Sequence, residues 1–225
     1  MIPQAVDPLE KLRSIGVLPV VEIEVKGQAG ALAEALLAGG LGCAEVTFRT
    51  PAAPGAIAIM ARDHPGLVLG AGTVRTVAQA VQARDAGAQF IVSPGFSPSV
   101  VEYCQAVGLP IIPGVATPTE IGMASSHGLR ILKVFPAHLL GGTAFVAAMA
   151  APFPDVRFVP SGGIGADALG DYVALSNVLA VGGSWIASRQ ALAAEDFRGI
   201  AQRAAAAVAV VRDVRAEAAA RVLLT

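Results

Sequence analysis

Apolar and polar positions alternate between two textures along the chain. Short runs dominated by Val, Ile and Phe recur at residues 17–23, 43–48, 67–73, 89–95, 109–115, 131–135, 156–163 and 178–184. Most run into Gly, Pro, Ser or Thr, the composition of a strand that ends in a turn. Between them lie alanine-rich segments with helical spacing, such as QAGALAEALLAGG, TVAQAVQARDAGA and SPSVVEYCQAVG. Thr76, Ser97 and Thr117 stand where helix caps are expected, and several helical segments end in glycine. Eight strand–helix units of roughly 20–26 residues each predict a parallel sheet with helical crossovers. Strands this continuously apolar predict a sheet covered on both faces. Eight units fit a closed (β/α)8 TIM barrel better than an open doubly wound sheet. MIPQAVDPLEKLRSIG predicts a short N-terminal helix at about 7–15, ahead of a barrel over about 17–220. No linker or shift in composition divides residues 1–225, so the α/β reading is one single-domain barrel.

Charge and composition narrow the function classes. The formal net charge is −1 and there is no basic run, which argues against a nucleic-acid or anionic-membrane partner. Hydrophobic residues make up 54% of the chain and charged ones 15%, enough for a large core and compatible with surface buried against other copies. Cys43 and Cys104 have no CxxC or Cys/His spacing and read as buried free thiols in a reducing compartment. The charged N-terminal stretch does not read as a signal peptide, and no apolar run approaches the ~18 residues of a membrane span. These features together predict a soluble, cytoplasmic protein.

In a (β/α)8 barrel the chemistry sits at the C-terminal ends of the strands and in the loops after them. The second strand, CAEVTFRT, alternates so that Glu45, Thr47 and Arg49 share one side and Val46 and Phe48 the other. Glu45 and Arg49 read either as an ion pair closing the strand end, or as a proton-transfer carboxylate beside a guanidinium that grips an anion. The third strand ends GAGTVRT, where Thr73 offers a hydroxyl to a ligand or caps a turn. Pro94 and Pro113 stiffen the rims after strands 4 and 5.

Lys133 stands in the middle of the sixth strand, ILKVF, in a chain with only three lysines. Alternation puts it on one face with Ile131 and Phe135, opposite Leu132 and Val134. Facing outward it would be buried beneath a helix with no acidic neighbour in sequence, an expensive arrangement. Facing inward it meets Glu45 and Arg49. It is then either a structural partner of Glu45 or an amine kept partly neutral by desolvation and by Arg49, able to attack a carbonyl and form a Schiff base. The last two strands end PSGGIG and VGGSW. Glycine-rich turns followed by helix starts at these positions are the usual phosphate-binding place in the fold. His64, His127 and His138 have no metal-ligand spacing, and neither a metal nor another cofactor is expected.

Taken in order, EVTFRT, GAGTV, FIVSPG, PGVATPTE, LKVFPA, PSGGI and VGGSW closely resemble the 2-keto-3-deoxy-6-phosphogluconate (KDPG) aldolases, a family that overlaps with 4-hydroxy-2-oxoglutarate (KHG) aldolase. The resemblance runs from about Val17 to Ala193. It implies a class I lyase making pyruvate and glyceraldehyde 3-phosphate, usually as a homotrimer acting on a phosphorylated 2-keto acid. Residue by residue, it puts the Schiff-base amine on Lys133 and the general acid/base on Glu45. The carboxylate-binding pair falls on Arg49 and Thr73, and phosphate binding on Ser161, Gly162, Gly163, Gly183 and Ser184, with Pro94 and Phe135 as further pocket residues. Ser161 stands where threonine is commoner and keeps the hydroxyl. Some members carry an arginine after the first strand, where this chain reads VLPVVEIEVK, so a substrate contact there is absent or replaced. The arginine of FRT is commonly missing from the related 6-phosphogalactonate aldolases and favours the phosphogluconate reading. Two rival expectations remain at this point. One is a sugar-phosphate isomerase or epimerase with Glu45 as base and Lys133 as a fixed charge; the other is a non-catalytic barrel that binds a phosphorylated ligand.

Overall fold

The computed structural model describes residues 7–222; residues 1–6 and 223–225 of the expected single unit lie outside the described residues. A helix over Pro8–Ile15 comes first, with the Asp7 carboxylate accepting from the Leu9 amide at 2.9 Å. Nine strand segments follow: β1 Val17–Val21, β2 Cys43–Thr47, β3 Val68–Gly72, β4 Phe90–Val92, β5 Ile111–Ile112, β6 Gly114–Val115, β7 Ile131–Val134, β8 Arg157–Pro160 and β9 Val181–Gly183. A helix intervenes between most successive strands, and a long one, Phe197–Val222, ends the described chain. Every ladder is parallel, as strand–helix alternation dictates.

The strands curl into an α/β half-barrel. Six of them order as β5-β4-β3-β2-β1-β9, and β6-β7-β8 form a second parallel sheet. The fifth strand, read from sequence as one run over 109–115, is two segments. Pro113 lacks an amide proton, so the ladder breaks there: Ile111 and Ile112 pair with β4, while Gly114 and Val115 pair with β7. On the other side, isolated bridges Phe158↔Val178 and Ser161↔Gly182 run from the β8 side to the β9 side.

Both faces of the strands are covered. All five residues of β2 and all five of β3 are buried, and Phe90, Phe158, Leu18 and Ile23 are among the largest fully buried side chains of one connected core. This burial explains the unbroken apolar runs of the sequence. Thr76 caps the helix Val77–Asp85 by accepting from the Gln79 amide, and Thr117 forms a full capping box with Glu120. Ser97 occupies the cap position of Pro98–Ala106 without a side-chain bond. Cys43 and Cys104 are free and buried; burial pushes both thiols up, Cys104 to about 11. Among the described residues, no helix is long and apolar enough to cross a membrane.

Candidate active site

Polar side chains inside such a core are few. Glu45, on β2, is 2% exposed and Lys133, on β7, is 5% exposed. The Lys133 ammonium donates to Glu45 Oε1 at 3.2 Å, joining strands 88 residues apart. The inward orientation expected from alternation is what the structure shows. The Phe135 ring lies 5.3 Å from the amine, a desolvated cation–π contact from the same face of the chain. Thr47, also buried, spends its hydroxyl on Val21 O at 3.0 Å.

Room for the Glu45 carboxylate comes from a missing side chain. In the β2–β3 register Glu45 faces Gly70 and Thr47 faces Gly72. A Cβ on Gly72 would overlap the Glu45 carboxylate, and one on Gly70 would overlap the Phe90 ring. The GAG of the third strand is thus a space requirement for the acid on the second. Gly72→Ala is expected to push the carboxylate away from Lys133, lowering activity at least tenfold and stability by about 1–3 kcal/mol. Steady-state assay and thermal melting of this variant check both.

Arg49 corrects a detail of the strand reading. β2 ends at Thr47, so Arg49 lies in the following turn and alternation does not orient it. Its Nε nevertheless donates to Thr73 Oγ1 at 3.3 Å, which brings the two expected carboxylate-binding residues together. Thr73 has φ +56, a left-handed conformation unusual for a non-glycine residue, and it aims its hydroxyl at Arg49. Arg49 also meets a carboxylate. Its Nη1 contacts Glu22 Oε2 at 3.4 Å, so the charge paired with Lys133 is Glu45 alone.

A cavity of about 450 Å³ opens over the lysine, lined by Lys133, Arg49, Phe135, Ser161, Gly162 and Ser184 among others. Gly162 and Gly163 have φ +95 and +74, where a side chain is strained, and a Cβ on Gly162 would come within 2.9 Å of the Phe135 ring. The helices after the two glycine-rich turns do not begin at those turns. They cover Leu169–Val173 and Arg189–Ala193, so the turns themselves, not helix N-termini, face the cavity. Four expected site residues, Glu45, Thr73, Gly183 and Pro94, are not among those lining this cavity. Gly182, not Gly183, lines the cavity, because the Trp185 ring fills the space beside Gly183. Pro94 is not part of the lining; its carbonyl packs against Gly114.

The sequence reading passed over several residues of this mouth. Val20, His138 and Ile164 line the cavity, and Glu22 bridges Arg49 to Arg189, whose Nη1 lies 3.3 Å from Glu22 Oε1. Glu22 stands one residue beyond the end of β1, where alternation no longer orients a side chain, so the strand period does not place it.

A model of the family "Aldolase: KDPG and KHG aldolase" matches residues 9–203. The chain belongs to the KDPG and KHG aldolase family. A 2-dehydro-3-deoxy-phosphogluconate aldolase of Treponema pallidum is 53% identical over 188 residues, 84% of this chain and 90% of that protein. The crystal structure of the Legionella pneumophila KDPG aldolase, with pyruvate captured at low pH as a covalent carbinolamine, superposes with a TM-score of 0.86 at 37% identity, covering 89% of this chain and 97% of that one. The Zymomonas mobilis enzyme with 3-phosphoglycerate gives 0.84 at 38%, covering 92% and 97%.

Proposed function

We propose that the chain is a class I aldolase that cleaves 2-keto-3-deoxy-6-phosphogluconate to pyruvate and glyceraldehyde 3-phosphate and also acts on 4-hydroxy-2-oxoglutarate, with Lys133 as the Schiff-base residue. The observation that carries this reading is the buried Lys133–Glu45 pair at 3.2 Å, whose lysine lines a cavity of about 450 Å³. The relatives named above are aldolases, and none supports an isomerase or a non-catalytic binder.

The steps follow from the pair. Passing the Lys133 proton to Glu45 leaves a neutral amine beside a neutral acid. Neither is then a stranded charge in the core. The amine attacks the C2 ketone while Arg49 and Thr73 hold the substrate carboxylate, and Glu45 returns the proton so that the carbinolamine loses water. The protonated imine withdraws electrons from C3. Glu45, now a carboxylate, directly or through a water takes the C4 hydroxyl proton; the C3–C4 bond breaks, the aldehyde forms, and the bonding pair enters an enamine on Lys133. Protonation of C3 and hydrolysis release pyruvate and restore the amine. At the other end of the cavity, the left-handed turn at Gly162 and Gly163 is the kind of backbone in which successive amides converge on an anion, with the Ser161 and Ser184 hydroxyls beside it.

The same reading takes the two sheets as one closed (β/α)8 barrel forming a single aldolase unit; the Phe158–Val178 and Ser161–Gly182 bridges and the split at Pro113 support closure at the two seams. It also takes the protein as a cytoplasmic homotrimer, for which apolar side chains exposed on the isolated chain, such as Val25, Leu37 and Met123, are compatible surface.

Borohydride reduction in the presence of pyruvate tests the mechanism. Mass spectrometry is expected to find one pyruvate-derived adduct, on the peptide carrying Lys133. A reduced protein without that adduct would sink the Schiff-base mechanism.

A further inference from the structure

Nothing in the steps above uses the second guanidinium at the mouth. Arg189 opens the helix Arg189–Ala193 after β9, and Ser188 caps that helix by accepting from the Ala191 amide at 3.1 Å. The Arg189 side chain is 65% exposed, with Nη2 at 2.5 Å from Glu24 Oε1 and Nη1 at 3.3 Å from Glu22 Oε1. Glu22 is only 18% exposed because it is held between two arginines, its other oxygen 3.4 Å from Arg49. A cavity of about 370 Å³ is lined by Glu22, Thr47, Arg49, Ser184, Ser188 and Arg189. Val20, Arg49 and Ser184 also line the cavity over Lys133, so the two spaces adjoin along the side that carries Ser184.

The substrates of the proposed reaction are anionic at both ends. Arg49 with Thr73 accounts for the keto-acid carboxylate, and the far-end anion lies at the Gly162–Gly163 turn beside Ser184, the residue that also lines the cavity of Arg189. We propose that Arg189 is a specificity-determining residue that reaches this distal anion from the Ser184 side and adds a cation to the glycine turn, exchanging its ion pair with Glu24 for the substrate's terminal group while Glu22 stays on Arg49. The inference rests on the aldolase reading and deepens it. The exchange is physically favourable. The Arg189–Glu24 pair is well exposed on both sides, at 65% and 59%, and such pairs contribute little. A phosphate or carboxylate in the cavity that Arg189 and Ser184 both line accepts a bidentate guanidinium and leaves Glu24 free to be hydrated. The four charges Arg49, Arg189, Glu22 and Glu24 sum to zero, so an anionic substrate end does not enter against a net negative mouth. An arginine on the loop after β9 thus supplies a cation where the loop after β1, EIEVK, brings carboxylates.

The test runs the reaction in the synthetic direction, with pyruvate and one of three aldehydes: glyceraldehyde 3-phosphate, glyoxylate and neutral glyceraldehyde. Arg189→Gln is expected to lower kcat/KM for the anionic aldehydes by about ten- to a hundredfold, with neutral glyceraldehyde changed far less. Arg189→Lys, which keeps the charge without the fork, should fall between. A loss with glyceraldehyde 3-phosphate alone assigns the site to phosphate, and one with glyoxylate alone assigns it to carboxylate. Equal losses for all three aldehydes, or none for either anion, overturn the proposal. Pyruvate trapping on the unsubstituted protein decides the underlying reading separately. If the Lys133 adduct forms and the ratio between aldehydes does not move in Arg189→Gln, only the role of Arg189 falls.

Discussion

A Lys133→Met variant is expected to lose carbon–carbon cleavage by about 10⁴-fold or more, the scale on which removal of a covalent nucleophile acts, and to give no borohydride-trapped pyruvate. Methionine matches the length of the lysine stem and leaves the packing against Phe135 in place, so the lost function is the amine. The same change has a structural effect of opposite origin. It strands Glu45, 2% exposed and bonded to Lys133 alone among the described side chains, as an unpaired acid in the core. Breaking one side of a buried pair costs about 3–5 kcal/mol. The double variant Lys133→Met with Glu45→Leu removes both charges and is expected to recover most of that stability and none of the activity. Lys133→Arg separates the effects in another way. It keeps a cation for Glu45 and so stays closer to the parent in denaturant melts, yet a guanidinium is not deprotonated in a protein and forms no imine. Cleavage that survived in the arginine variant would mean that the residue acts only as a fixed charge.

How much of this was legible before any coordinates depends on what carried each signal. Lys133 and Glu45 stood out because each is a charge in an otherwise apolar strand, and a period of two leaves only two directions to choose between. Burial beneath a helix excluded one, so the pair across 88 residues followed from strand physics. The break at Pro113 was also written in the chain, since a proline withholds a ladder donor, but the run of Ile and Val around it read as one strand. The pairing of Arg49 with Thr73 came from the family resemblance; alternation could not place it, because β2 ends at Thr47 and Arg49 lies in the following turn. In the doublet GG only the packing of Trp185 decides which glycine lines the cavity. The Glu22–Arg189 contact was not legible at all. It joins a strand end to a helix start far along the chain, and nothing periodic in either segment announces where two loops meet.

Glu45→Gln is expected to slow turnover by about 10²–10⁴-fold, the range assigned to a positioned general acid or base, while KM for the keto acid changes little. The substitution is close to isosteric, so the space opened by Gly72 is filled as before, and the amide oxygen still accepts from Lys133. What is lost is the capacity to take a proton and return it. The proposed mechanism needs that capacity in three steps: making the neutral amine, returning the proton as the carbinolamine loses water, and removing the C4 hydroxyl proton. They are separable by measurement. Exchange of the methyl protons of pyruvate in D₂O requires imine formation and C3 proton transfer but no C–C cleavage, so it should fall in Glu45→Gln by a factor comparable to turnover. Trapping with pyruvate should still yield the Lys133 adduct after long incubation, because the amine remains in place and water can slowly remove its proton. That pattern, adduct retained and proton exchange lost, is one that a merely structural partner of Lys133 would not produce. A glutamine variant with full exchange and full turnover would leave Glu45 only the task of holding the lysine, and would move the proton-transfer role to a water or to another residue of the mouth.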